Sequence, residues 1–372
     1  MDRINHLKLQ AYLDSISNKE IQNQGPIIEE LGKSGSHENN DASYQGLSDY
    51  DDSNGYESDD CLRALQTQVD KVLATVAFPN YTIPSGEDMT EFKHYGRFDF
   101  VDRFPNHFFE TLNLHKPSSM WIKRVQEELK FLDNMPDSIN VKACEARMDL
   151  IQAVIVGSAG TPYHDGLFVF DLAFPPSYPD VLPIVYYHSG GLQLNPNMSK
   201  DGIVRLNTWK LEKGEPIPKM STMAQVLCSI QVLIFNSKPF FNEPGNSKIY
   251  VGKKGKKKSK DYNESVFILS LKTMMNTLTS PPKHFEELIR WHFRVRAHHI
   301  LSACKSYIDG TPIGAFGGGF FGDDDHSGPS NEFKIALCGM MDGLVNKFID
   351  NGATDCEKFR YVKWHPSMKS NI

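Results

Sequence analysis

Tyr186-Tyr187-His188-Ser189-Gly190-Gly191, then Leu194-Asn195-Pro196-Asn197, then Asp201-Gly202-Ile203-Val204-Arg205-Leu206-Asn207-Thr208-Trp209 form one connected block of the 372-residue chain. From His188 on, the block lies in a stretch, 188–220, with neither the period of a helix nor that of a strand. A loop of that length inside a compact domain usually serves a function. What flanks it decides the fold.

Three strand-like runs precede it. Leu150 to Val156 is rich in Val and Ile and is closed by Gly157-Ser158-Ala159-Gly160. Leu167 to Phe174 alternates and is closed by Pro175-Pro176-Ser177-Tyr178-Pro179, and Ile184 to Tyr187 is closed by Ser189-Gly190-Gly191. With a weaker run near Val141 to Met148, these read as a short antiparallel meander. Ahead of them, Pro117-Ser118-Ser119 is a helix start, and Trp121, Val125, Leu129 and Leu132 share one helical face. Behind the loop, Thr222-Met223-Ala224-Gln225 fits a capping box and opens a helix over about 223–236. Pro239-Phe240-Phe241-Asn242-Glu243-Pro244-Gly245 ends it. Further helices are expected near 263–278, 284–307 and 332–349. The fold class is therefore α+β, a short antiparallel meander flanked by helices.

The ends of the chain differ from this core. Residues 1–60 hold 13 acidic and 4 basic residues, and Asp49 to Asp60 has six acids and no Lys or Arg. Too little apolar surface is present there to offset the entropy of ordering, so a disordered acidic tail is expected. Residues 61–114 read as a partly ordered lead-in. Within it, Leu62, Leu65, Val69, Val72 and Val76 have helical spacing, and Phe92 to Val101 is aromatic and alternating. Residues 115–282 form the core domain. Residues 283–372 are a helical extension with a Gly-rich loop (310–322).

Composition bounds the classes. Forty Lys+Arg against 46 Asp+Glu leave a net charge of −6, with 40% hydrophobic residues, enough for a real core and no general reason to bind DNA. No run approaches the ~18 apolar residues of a membrane helix, and Met1 to His6 leads into no signal-like apolar segment. Cys61, Cys144, Cys228, Cys304, Cys338 and Cys356 are scattered without a Cys-x-x-Cys pair, which suits free thiols in the cytoplasm or nucleus.

Several motifs fail on context. Gly317-x-Gly319-x-x-Gly322 follows no strand and runs into Asp323-Asp324-Asp325, which would repel a pyrophosphate. The lysines at 253, 254, 256, 257, 258 and 260 have no interleaved aromatics to stack bases and read as a solvated basic loop. A basic-loop nucleic-acid binder is kept as a distant alternative. His298-His299 reads as two ordinary helix residues. No His-Glu-x-x-His, zinc-spaced Cys/His set or Gly-x-Ser-x-Gly elbow is present, so no metal or cofactor is expected.

The loop block, with Tyr178-Pro179-Asp180-x-x-Pro183 upstream, resembles the ubiquitin-conjugating enzyme catalytic domain. Thr161-Pro162-Tyr163-His164-Asp165-Gly166-Leu167-Phe168, Asn236-x-Lys238-Pro239-Phe240-Phe241-Asn242-Glu243-Pro244-Gly245 and Pro282-Lys283-His284-Phe285 narrow this. They resemble the large plant-type subfamily with extended termini, related to the giant hybrid conjugating enzyme/ligases. The resemblance covers about residues 115–310, plus the aromatic stretch near 92–101. It implies the ubiquitin-conjugating fold and two acyl transfers, from activating enzyme to a cysteine and from that thioester to a substrate lysine. It implies ubiquitin, the activating enzyme and a ubiquitin ligase as partners, no nucleic acid or membrane, and ATP used only by the activating enzyme. Asn197 takes the position of the family's oxyanion donor. The ligase surface falls on Trp121 to Lys130 and the 175–183 turn.

The chain departs from the family at the nucleophile. Where the family reads Gly-x-Val-Cys-Leu, this chain reads Gly202-Ile203-Val204-Arg205-Leu206, and the segment is a few residues short. Arginine is protonated at any workable pH and offers only donors. Cys144, Cys228, Cys304, Cys338 and Cys356 read as buried structural thiols. Two accounts stand side by side: a conjugating-family pseudoenzyme that cannot form the thioester, and an active transferase whose active-site codons are lost from this gene sequence.

Overall fold

The computed structural model describes residues 97–112, 117–206, 222–316 and 328–360. The acidic tail, the helix expected over 62–76, Asn207-Thr208-Trp209 and Gly317 to Asp325 lie outside these residues.

The fold is α+β. Strands β1 (Phe98–Val101), β2 (Ile139–Cys144), β3 (Leu150–Val156), β4 (Leu167–Ala173) and β5 (Ile184–Tyr187) form one sheet in the order β1-β2-β3-β4-β5. β2 to β5 are the expected antiparallel meander. The end of the aromatic stretch adds a strand that the meander reading lacked: β1 pairs parallel to β2. A parallel pair needs a crossover, and helix α1 (Ser119–Leu132) supplies it. Ser118 caps α1 by accepting from the Trp121 N–H, so the helix starts where the Pro-Ser-Ser signal places it.

Both faces of the sheet are covered, which explains why β3 and β4 are buried at every position. Ile151, Ala153 and Ile155 of β3 with Phe168, Phe170 and Leu172 of β4 face one core, shared with Trp121, Val125 and Leu129 of α1. Helix α2 (Met223–Ser229) joins that core through Met223, Val226 and Leu227. Its capping box is formed as the sequence indicates, Thr222 accepting from the Gln225 N–H and Gln225 bonding back. The α-helix is shorter than 223–236. From Ile230 to Ile234 it widens into a π-turn, closed by Phe235 N–H to Ile230 O at 3.2 Å. The buried Gln231 sits in this turn, donating to Val156 O (3.0 Å) and accepting from Ser138 Oγ (3.1 Å). Those tertiary bonds outweigh regular helix pitch.

Val154, Val156, Leu167 and Val169 face a second core on the other side. It is built with three helices: α4 (Gly252–Thr279), α5 (Glu286–Asp309) and α6 (Asn331–Asp350). A single turn, α3 (Asn246–Ile249), precedes α4. The lysine run is not a loop: Lys253 to Lys260 form the first turns of α4, with the lysines exposed except Lys260, which is half-buried. Lysines are good helix formers. Gly255 fits here because a Cβ would meet Tyr250 O at 2.3 Å. Among the described residues no helix is long and apolar enough to cross a membrane.

Candidate functional site

The loop after β5 is held in shape by its own backbone and one buried side chain. Bridges pair Tyr186 with Ile203, Asn195 with Met198, and Met198 with Val204. Gly202 has φ +88, and a Cβ there would lie 2.3 Å from the Tyr186 ring and 2.5 Å from Tyr187 O, so only glycine fits. Asn195 is completely buried. Its Nδ2 donates to Tyr163 Oη (3.0 Å) and Ile234 O (2.8 Å), while its Oδ1 accepts from the Asn197 N–H (3.0 Å) and Asn242 Nδ2 (3.3 Å). One amide thus joins the Thr161–Phe168 motif, the end of the π-turn and the Asn236–Gly245 motif. Sequence reading singled out Asn197 and passed over its neighbour. The three motifs were legible, but not the buried point where they meet.

Asn197 and Arg205 are brought together. The Arg205 N–H donates to Asn197 O at 2.9 Å. Val204 and Leu206 on either side are buried, and Arg205 is exposed. The side chain at 205 is therefore the group this loop segment turns outward beside Asn197, which is itself buried.

No cysteine of the sequence lies between 188 and 221. Cys228 is buried on α2, and burial pushes its thiol up to about 12, far from a thiolate at neutral pH. Cys304 is buried in the second core, its thiol raised chiefly by burial. Cys144 ends β2 and contacts Asp102 O at 3.3 Å, and Cys356 is buried. Cys338 departs from the buried-thiol reading: on the flank of α6 it is half-exposed. Among the described residues no group of three or more His, Cys, Asp or Glu could hold a metal ion.

A brace from the lead-in segment supports the loop from behind. The Phe108 ring stacks on Tyr186, 3.7 Å between centroids and 5° between planes, and Tyr186 in turn packs on Gly202. The Phe108 N–H donates to Asp171 Oδ2 (2.8 Å) and Gln152 Nε2 donates to Oδ1 (2.7 Å). His188 Nε2, where the loop begins, lies 2.9 Å from the same carboxylate. Burial works to raise the pKa of Asp171; His107, His188 and Gln152 outweigh it and leave it lowered.

A second buried carboxylate anchors the Thr161–Phe168 motif. Asp165, in the left-handed region at φ 62, accepts from His164 Nδ1 (2.7 Å) and Arg296 Nε (2.8 Å) and lies 3.0 Å from His299 Nδ1. Its backbone oxygen contacts His292 Nε2 at 2.9 Å, and His164 Nε2 reaches Tyr307 Oη at 2.9 Å. His299 is thus not an ordinary helix residue. Helical spacing cannot reveal a partner 134 positions away.

A third ties the expected ligase surface together. The buried Glu128 of α1 accepts from Tyr178 Oη (2.6 Å), Arg124 Nη2 (2.9 Å) and the Met223 N–H (3.0 Å). Trp121 is buried and donates to Pro175 O at 2.9 Å. What these segments expose is Met120, Lys123, Gln126 and Lys130 on α1 and Pro176, Ser177, Pro179 and Asp180 on the turn.

Comparison with known proteins agrees with this architecture. The ubiquitin-conjugating enzyme family profile matches residues 124–268. The Arabidopsis thaliana protein named ubiquitin-conjugating enzyme E2 38 is 45% identical over 272 residues, 71% of this chain and 83% of that protein. Ubiquitin-conjugating enzyme E2 39 of the same plant is 44% identical over 283 residues, 72% of this chain and 86% of its own length. The human dual ubiquitin-conjugating enzyme/ubiquitin-protein ligase is 33% identical over 195 residues, 49% of this chain but 4% of that protein. With its sheet, its flanking helices and its loop in the matched order, this chain belongs to the ubiquitin-conjugating enzyme family, in the plant-type subfamily with extended termini.

Proposed function

We propose that the protein acts in ubiquitination as a non-catalytic member of its family. It binds ubiquitin, a ligase or an active conjugating enzyme, and does not carry ubiquitin as a thioester. The observation behind this reading is the exposed Arg205, hydrogen-bonded through its N–H to Asn197 O where a nucleophile is needed. A guanidinium has no lone pair to attack a thioester, and Cys228 is a buried thiol whose burial holds it in the protonated form. On this reading Asn197 and its loop remain as a docking surface for ubiquitin's tail. The exposed residues of α1 and of the 175–183 turn serve as the ligase surface.

The test is a charging assay on the unaltered chain with activating enzyme, ATP and ubiquitin, read on a non-reducing gel beside an active conjugating enzyme. The expected result is no band one ubiquitin heavier that disappears on reduction. Such a band would overturn the reading in favour of an active transferase, and Cys228→Ser would be the first variant to locate its nucleophile.

A further inference from the structure

We propose that Arg205 makes the loop a binding site for a free carboxylate, the C-terminal carboxylate of uncharged ubiquitin. The inference rests on the reading that ubiquitin's tail reaches this loop without being captured as a thioester.

Residue 205 is the outward-facing position of its segment, because it is exposed while Val204 and Leu206 are buried to 1% and 5% exposure. Its backbone is fixed beside Asn197 by the 2.9 Å hydrogen bond, so the guanidinium is tethered close to the acyl-handling position. Among the described residues no carboxylate pairs with it. The one acid between 188 and 206, Asp201, accepts from Ser199 Oγ instead. Lys200 and Arg205 leave this loop with a formal excess of positive charge, in a chain whose net charge is −6. An exposed guanidinium offers two parallel N–H donors, matched to the two oxygens of a carboxylate. A thioester or amide carbonyl has one oxygen and no charge, and gains far less. A cysteine at 205 would select an activated acyl group; arginine at the same place selects the hydrolysed acid.

Titration of the full chain with two ubiquitins tests this: one with its natural C-terminal carboxylate, one with a C-terminal carboxamide. The carboxylate form should bind about fivefold tighter, the scale of an exposed charge pair, and the difference should shrink at high salt. Arg205→Gln should erase the difference while leaving the melting temperature unchanged, because the side chain is exposed. Arg205→Lys should keep part of it. Equal affinities for the two ubiquitins, or no binding of either, would overturn the proposal. A difference that survives in Arg205→Gln would also overturn it by placing the carboxylate elsewhere. The charging assay is read separately. Equal affinities with no thioester band remove the carboxylate site alone, whereas a thioester band removes the non-catalytic reading beneath it.

Discussion

Asn195 and Arg205 illustrate opposite constraints on the same loop. Asn195 is buried with both ends of its amide bonded to three separate segments. Asn195→Ala strands a backbone N–H and a carbonyl that have no water to turn to. It should cost about 3 kcal/mol, seen as a lower urea midpoint. Asn195→Asp should be no better, since a carboxylate cannot donate to Ile234 O. The Arg205 side chain is exposed and its backbone N–H bonds to Asn197 O, so substitutions there should alter ligand binding and leave stability within about 0.5 kcal/mol.

At the scale of elements, the lead-in segment is a structural part of the loop rather than a tether. Phe108, 8% exposed, stacks on Tyr186, while its N–H and His188 share the Asp171 carboxylate. Phe108→Ala should cost about 3 kcal/mol. It should also raise hydrogen exchange at the amides of Tyr187, Ser199 and Val204, whose bonds hold the loop. Exchange unchanged at those amides, with protection lost only around Phe108, would show that the brace does not reach the loop.

Over the whole molecule, two observations set the response to truncation and to acid. The second face of the sheet is covered by α4, α5 and α6, whose apolar residues pack with Val154, Val156, Leu167 and Val169. A chain ending at Ser280 keeps α4 but loses α5 and α6, so it should expose the apolar residues of α4 and of that face and aggregate, read as loss of soluble yield and binding of a hydrophobic dye. Across the same boundary, Asp165 joins the motif before β4 to Arg296 and His299 on α5. Burial opposes its charge, but bonds from His164 and His299 with the charges of His164 and Arg296 hold its pKa well below the usual carboxylate range. Asp171 is lowered as well. A depressed folded-state value means stability present above the unfolded pKa near 4 and lost as pH falls through the folded one. The urea midpoint should therefore fall below about pH 4. Asp165→Asn should lower it at neutral pH and flatten that acid limb.

The sequence by itself determined the class of fold, the order of its elements and the departure at residue 205. Each is a local property: a period of 2 or 3.6, a capping box at Thr222, a Pro/Gly stop, a residue type at one position. It also placed Asn197 and Arg205 in one loop. Only the tertiary structure decided what lies beside what. It paired β1 parallel to β2, widened α2 at Gln231 and drew the lysine run into α4. It gathered Asn195, Asp165 and Asp171 into bonds with partners up to 134 positions away. Those choices depend on burying polar groups only where a distant partner satisfies them, and periodicity holds no information about such distances.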